Sequence, residues 1–200
     1  TPLPENRNNG LMIYMQQMER ENNKEQNRFR KNNLFSLEND AKTEIINWKT
    51  TNEYDLLEAK HLGYKRLINP IIHKRQIVFN KLDSFWLVRD IIKGEGKHKF
   101  ELHFNLDSRL ESKIDKDSME VIIPIGKKKL RIIPVYKEEM DFSIKKGRVS
   151  KEYGKKDESI VLRYSKDKDT PVEFLFLFTF NGNVKNTLSY VKKVTEKNKK

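Results

Sequence analysis

The four histidines of the chain, His61, His73, His98 and His103, all fall between residues 61 and 103. Imidazole is the side chain best placed to move protons near neutral pH, and it is a common metal ligand. No two of them stand at the i, i+4 spacing that sets two ligands on one helix face, and no His-x-His occurs. Spacing therefore gives zinc or another divalent cation no support, and no cofactor is expected. His73 and Arg75 are two residues apart, so on a strand they share a face. Such a pair can hold a carboxylate or sulfate, with the guanidinium making the bidentate contact. The ordinary alternative is a cross-strand ion pair, with Asp90 or Glu101 as the carboxylate. Trp48, Tyr54, Tyr64 and Trp86 are candidates for a sugar-stacking platform, although Trp86 sits in an apolar run that reads as core. No Gly-x-Ser-x-Gly nucleophile elbow is present. Gly94-Glu95-Gly96 is too short to cradle a phosphate and lies between strands.

The elements that must position these residues read as strands. In 98–106, Phe100, Leu102, Phe104 and Leu106 share one face with His98, while Lys99, Glu101, His103 and Asn105 share the other. Strict alternation is the mark of a half-buried strand. It gives His98 a structural place and turns His103 toward a possible groove. Ile71–Asn80 and Ser84–Ile92 are rich in β-branched and aromatic residues, and Lys81-Leu82-Asp83 between them suits a hairpin. Further strands are expected at Lys42–Trp48, Tyr54–Lys60, Met119–Pro124, Lys129–Tyr136, Ser159–Tyr164, Val172–Phe180 and, last, Thr187–Val194. Phe recurs at every even position from 174 to 180, so that strand buries at least one face deeply, and Asn181-Gly182-Asn183 ends it. Pro124 and Pro134 point to edge strands or bulges. Many short strands at close spacing predict an all-β fold, an antiparallel multi-strand β-sandwich. The expected organisation is a polar, partly irregular segment over 1–40, one β-sandwich domain over 41–195, and a basic tail over 196–200.

Composition narrows the partners. The chain has 200 residues, 41 Lys+Arg against 29 Asp+Glu, and a formal charge of +12, which favours polyanions. The charges are mixed along the chain, and no helix-turn-helix, zinc-finger or RRM pattern occurs, so nucleic acid is disfavoured as a partner. Only Lys192–Lys200 is basic and apolar-poor, which reads as a solvated tail. No run approaches the length of an apolar membrane span, and no membrane partner is expected. Absence of cysteine removes disulfides, thiolate zinc sites and cysteine nucleophiles. The first residue is Thr1 and no apolar signal core follows, so the chain reads as processed or as a piece of a longer protein.

A set of motifs in order carries more. His61-Leu-Gly-Tyr64-Lys-Arg66, Pro70-Ile-Ile-His73-Lys-Arg75-Gln-Ile77, Trp86-Leu-Val-Arg-Asp90 and Gly94-x-Gly96-x-His98-x-Phe-Glu101-x-His103-Phe resemble the C-terminal region of heparinase II/III-like polysaccharide lyases. Thr1-Pro-Leu-Pro-Glu5-x-Arg7-Asn8 and Glu25-Gln-Asn-Arg-Phe29 extend the resemblance toward the N-terminus. Between these two the family carries a His-Asn element where this chain has Gln16 and Gln17. Glutamine does no acid–base work near neutral pH and is a poor zinc ligand.

The resemblance implies two-part enzymes, an α/α toroid followed by β-sandwich layers, that cleave acidic, uronate-containing polysaccharide by β-elimination. Nothing in this chain reads as a toroid. The chain is therefore expected to be the C-terminal sandwich part, inactive alone, with an acidic polysaccharide and an upstream toroid domain as partners. No catalytic residue is assigned. His61, Tyr64, His73, Arg75 and His103 are the expected cleft-facing or junction residues for substrate binding. The resemblance also implies a periplasmic or secreted enzyme. The other readings are a stand-alone, non-catalytic glycan-binding module and a truncated gene product.

Overall fold

A computed structural model describes residues 20–21, 25–30, 33, 36–107, 109–150, 152–180 and 182–197. Among these residues twelve strands run in chain order: β1 Arg20–Glu21, β2 Glu44–Thr50, β3 Tyr54–His61, β4 Ile71–Asn80, β5 Phe85–Gly94, β6 Lys97–Asn105, β7 Lys113–Asp115, β8 Glu120–Ile125, β9 Lys128–Pro134, β10 Asp141–Val149, β11 Asp157–Asp169 and β12 Val172–Thr179. A 3-10 turn covers Gly63–Arg66, and one helix, α1, spans Val184–Lys197. The strands form two antiparallel sheets, a four-stranded one in the order β1-β6-β11-β10 and an eight-stranded one in the order β2-β3-β4-β5-β12-β9-β8-β7. The fold is the antiparallel β-sandwich that the alternating pattern predicts.

Local chemistry sets the turns. β4 and β5 pair without a slip from Ile71↔Gly94 to Asn80↔Phe85. Between them the Asn80 side chain accepts the Asp83 N–H at 2.8 Å, and Ser84 takes a positive φ of 52°. The turn into β6 uses Gly96 at φ 77°, a conformation that a Cβ disfavours.

The core lies between the sheets. Phe100, Leu102 and Phe104 of β6 and Leu162 and Tyr164 of β11 meet Phe174, Phe176 and Phe178 of β12. Phe104, Tyr164 and Phe176 form a closed edge-to-face trio, with ring centroids 5.8, 5.0 and 4.7 Å apart. The opposite face of β12 is covered too: Leu175 and Leu177, with Phe85, Ile133 and Val135, pack under α1.

That helix replaces the strand expected over Thr187–Val194. Read with period two, Lys192 interrupts the face of Leu188, Tyr190 and Val194, while Thr187, Ser189 and Lys193 share the other with Val191. Read with the helical period, Val184, Leu188, Val191 and Thr195 make one stripe, and the stripe packs on the sheet. Tyr136 Oη lies 2.8 Å from Thr195 Oγ1 and ties the helix end to the segment after β9. Lys192 and Lys193 thus belong to a helix, not to a solvated tail; Asn198–Lys200 lie outside the described residues, as do the Thr1–Asn8 motif and Gln16-Gln17.

Three further strands were not foreseen. β1 is two residues long and pairs with β6. β7 is three residues long. β10 has Lys145 and Lys146 adjacent and only Phe142 and Ile144 as apolar alternates, so its pattern is weak, yet it pairs with β11 over its full length. It forms an edge of the smaller sheet, where exposed charge discourages pairing with another chain. Pro134 closes β9, and Pro124 lies in β8 beyond the reach of the short β7.

Phe176 is fully buried at the centre of this packing. Phe176→Ala should lower stability by about 3–5 kcal/mol, the range for deleting a core phenyl ring. Urea denaturation would show it as a lower midpoint at unchanged slope.

Candidate functional site

The registers decide which candidate residues meet. His61 stands opposite His73 in the β3–β4 pair, and Arg75 stands opposite Asp90 in the β4–β5 pair. Strand parity then puts His61, His73, Arg75 and Asp90 on one face of the larger sheet, the face that carries Val88 and Ile92 into the core. Asp90 is completely buried. Its Oδ1 accepts the Arg75 Nε–H at 2.6 Å and lies 2.7 Å from His73 Nε2. The His73 ring meets the His61 ring edge-on at 4.9 Å, and His61 meets Tyr64 at 5.5 Å. The Gly63 N–H donates to His61 Nδ1 at 3.3 Å.

The 3-10 turn that carries Tyr64 is clamped from outside. The Arg66 guanidinium lies 5.9 Å from the Tyr64 ring centroid and donates to the carbonyls of Gly63, Gln26 and Glu25. A Cβ on Gly63 would run into the Gln26 carbonyl, so glycine permits this close approach. Residues 25–28 are held in turn by Asp40. Its carboxylate takes Arg28 Nη2 at 2.7 Å, and that guanidinium holds the Asp40 carboxyl down at about 2.

Four of the five expected residues therefore cluster, but they are not open to solvent. His61, Tyr64 and His73 are buried, and Arg75 alone is partly exposed, with 22% of its side chain accessible. The cross-strand ion pair with Asp90, the ordinary alternative for His73 and Arg75, is the arrangement present. His103 does not join them. It lies on the opposite face of β6 from the core residues, as the alternation predicts, and is buried there. Its Nε2 is 3.2 Å from Glu101 Oε2, while Glu101 Oε1 takes Arg163 Nη1 at 2.9 Å. The Arg163 Nε–H goes on to Ser143 Oγ at 2.9 Å, linking β6, β11 and β10.

Burial pushes the Glu101 carboxyl up. The Arg163, His103 and Lys145 cations outweigh it, so the group titrates below its ordinary value. His98 takes the structural place expected of it, with Nε2 2.7 Å from the Glu95 carbonyl oxygen. The aromatic platform does not form: Tyr64 is buried, Trp86 stacks on Phe79 at 4.6 Å, and Trp48 stands exposed on β2. Sequence reasoning missed Arg163. Its signal is a single charge inside the apolar run Ile160–Tyr164. Among the described residues no group of three or more His, Cys, Asp or Glu is arranged to hold a metal ion, and no helix is long and apolar enough to cross a membrane.

Residues 21–183 match the family model described as heparinase II/III-like, C-terminal. The chain belongs to that family. Solved structures agree at the level of fold. Heparan sulfate lyase HepC from Pedobacter heparinus superimposes with a TM-score of 0.63 at 22% identity, over 70% of this chain and 22% of that one. Heparinase III superimposes with a TM-score of 0.57 at 16% identity, over 68% of this chain and 20% of that one. The chain thus spans about a fifth of the length of these two proteins. No curated protein matches it significantly. In this heparinase II/III-like C-terminal domain two of the buried carboxylates, Asp90 and Glu101, stand on different sheets of the sandwich.

Each carboxylate makes a prediction. Asp90→Ala leaves Arg75 without its charge partner and should cost about 3–5 kcal/mol in urea denaturation. The Glu101 value is lower in the folded state, so its contribution is present above the unfolded value, about 4.3, and is lost as pH falls through the folded one. Glu101→Gln should flatten this part of the loss of stability between about pH 5 and pH 3.

Proposed function

We propose that this domain is the C-terminal sandwich of a polysaccharide lyase that cleaves acidic, uronate-containing glycan by β-elimination, and that it is not catalytic alone. The family match over residues 21–183 carries the reading. β-Elimination removes the proton at C5 while the uronate carboxylate is neutralised, and then expels the oxygen at C4. That needs an accessible base and a cation beside the carboxylate. In this chain the histidines are buried, and His73 is committed to Asp90. The domain's part is to hold one wall of the cleft, with Arg75 as the partly exposed cation nearest the cluster. An upstream α/α toroid supplies the base. The exposed Ile45, Ile46 and Trp48 of β2 suit a face that such a domain covers. Export to the periplasm or medium, where polymeric substrate is met, belongs to the same reading.

Burial of the histidines also favours a second reading, a glycan-binding module with no chemistry of its own. One experiment separates the two. Heparan sulfate is incubated with this chain, and with the chain joined to the protein segment encoded upstream of it. Unsaturated uronate is then followed by its ultraviolet absorbance. Product from the joined protein alone supports the lyase reading. Product from this chain alone overturns the assignment of the base to the upstream domain. Salt-sensitive binding with no product from either protein leaves the binding module. Arg75→Ala should weaken retention on the acidic polysaccharide several-fold, and unchanged retention would remove Arg75 from the site.

A further inference from the structure

Where β11 turns into β12, the rim of the sandwich holds a cavity of about 250 Å³. Lys166 lines it. In the β6–β11 register Lys166 stands opposite Phe100, so its side chain leaves β11 on the core side, in line with Leu162 and Tyr164. Only 8% of the residue is exposed, and its ammonium sits 5.5 Å from the centroid of the Phe174 ring. Among the described residues Lys166 makes no hydrogen bond or ion pair. Its neighbours on the cavity wall are matched differently: Lys168 pairs with Glu139, and Glu173 pairs with Arg89 at 2.8 Å. Burial lowers the Lys166 pKa and the Lys168 charge lowers it further, against the pull of Glu138, Glu139 and Glu173. The ammonium opens on the cavity and not on a protein acceptor, so an acceptor oxygen that enters the cavity can take its hydrogen bonds.

The rest of the lining says what brings those oxygens. Lys168 with Glu139 and Arg89 with Glu173 cancel in pairs, which leaves one cation, Lys166, and one carboxylate, Glu138, on the wall, so a free anion that reached Lys166 would also meet the Glu138 carboxylate. A neutral, hydroxyl-rich molecule meets no such penalty. Its hydroxyl oxygens accept from the ammonium, and its hydroxyl hydrogens donate to carboxylates. Pro171, Val172 and the Tyr136 ring add apolar surface beside these groups, as the C–H face of a sugar ring requires. Phe174 is also the cross-strand neighbour of Asp90, so one buried ring stands between the strand carrying Asp90 and the Lys166 ammonium.

We propose that this cavity is a binding subsite for a single neutral pyranose unit, held through its hydroxyls by Lys166 and Glu138. The inference stands on the cavity and its lysine and does not require the domain to serve a lyase.

The test titrates the chain with methyl glucoside and, separately, with sodium sulfate, following backbone amide resonances. The sugar should bind with millimolar affinity and shift residues 136–139 and 166–174. Lys166→Met should weaken it by about tenfold or more, and Glu138→Gln by a few-fold. A second measurement needs no variant: the sugar should slow reductive methylation of Lys166, read by mass spectrometry, and leave Lys81 unaffected. No shift at these residues up to about 50 mM sugar overturns the proposal. So does protection of Lys166 by sulfate and not by sugar. Either failure leaves the heparan sulfate assay untouched, because that assay reads a different ligand and a different product.

Discussion

The fold depends on β12 being buried on both faces. It is the link between the two halves of the larger sheet, with β5 on one side and β9 on the other. One face carries Phe174, Phe176 and Phe178 against the smaller sheet, and the other carries Leu175 and Leu177 against α1. A strand in this position admits almost no polar residue, and Val172–Thr179 has only Glu173 and a buried Thr179. The helix is what makes the second face possible. Without it, Leu175, Leu177 and Ile133 would form an apolar patch on the outside of a sheet, a recognised liability.

Charge is admitted to the interior in different ways. Asp90 is fully buried and is met by Arg75 and His73 from the adjacent strand. Glu101 lies on the outward face of the smaller sheet, between Arg163 and His103. Arg75 and His73 reach Asp90, and Arg163 reaches Glu101, from a neighbouring strand, so these pairs also check register, since a one-residue slip would turn one member to the other face. Lys166 has no such partner and rests on an aromatic ring. That difference separates it from the other two as a place where an outside molecule has something to complete.

Strand parity made much of this legible. Alternation in 98–106 separated His103 from the core residues, and the two-residue spacing of His73 and Arg75 put them on one face. Parity does not say which sheet a strand joins, so nothing in the spacing revealed that His103 lies on a different sheet from His61 and His73. β10 escaped because an edge strand needs only one half-apolar face, and its two adjacent lysines masked even that. The last element was misread because Thr, Val and Tyr suit strands by propensity. The four-residue and three-residue spacing of Val184, Leu188, Val191 and Thr195 was the better guide. Lys166 was invisible for a related reason. A lysine near the end of an alternating strand reads as solvated, and only the register with Phe100 turns it inward.

The arrangement also bears on where chemistry can reside in a protein of this family. A general base must exchange its proton with substrate, so it must be reachable. In the described residues the imidazoles are packed against rings, carbonyls and carboxylates instead. Packing of that kind gives fixed geometry at the expense of access. Under the lyase reading proposed above, a sandwich built this way holds a surface in place while a second element brings the moving proton. The tie from Arg66 to the carbonyls of residues 25 and 26 is consistent with that division of labour. It fixes the segment between β1 and β2 to the Tyr64 turn. The approach of residues 25 and 26 to that turn is thereby set by hydrogen bonds within this domain.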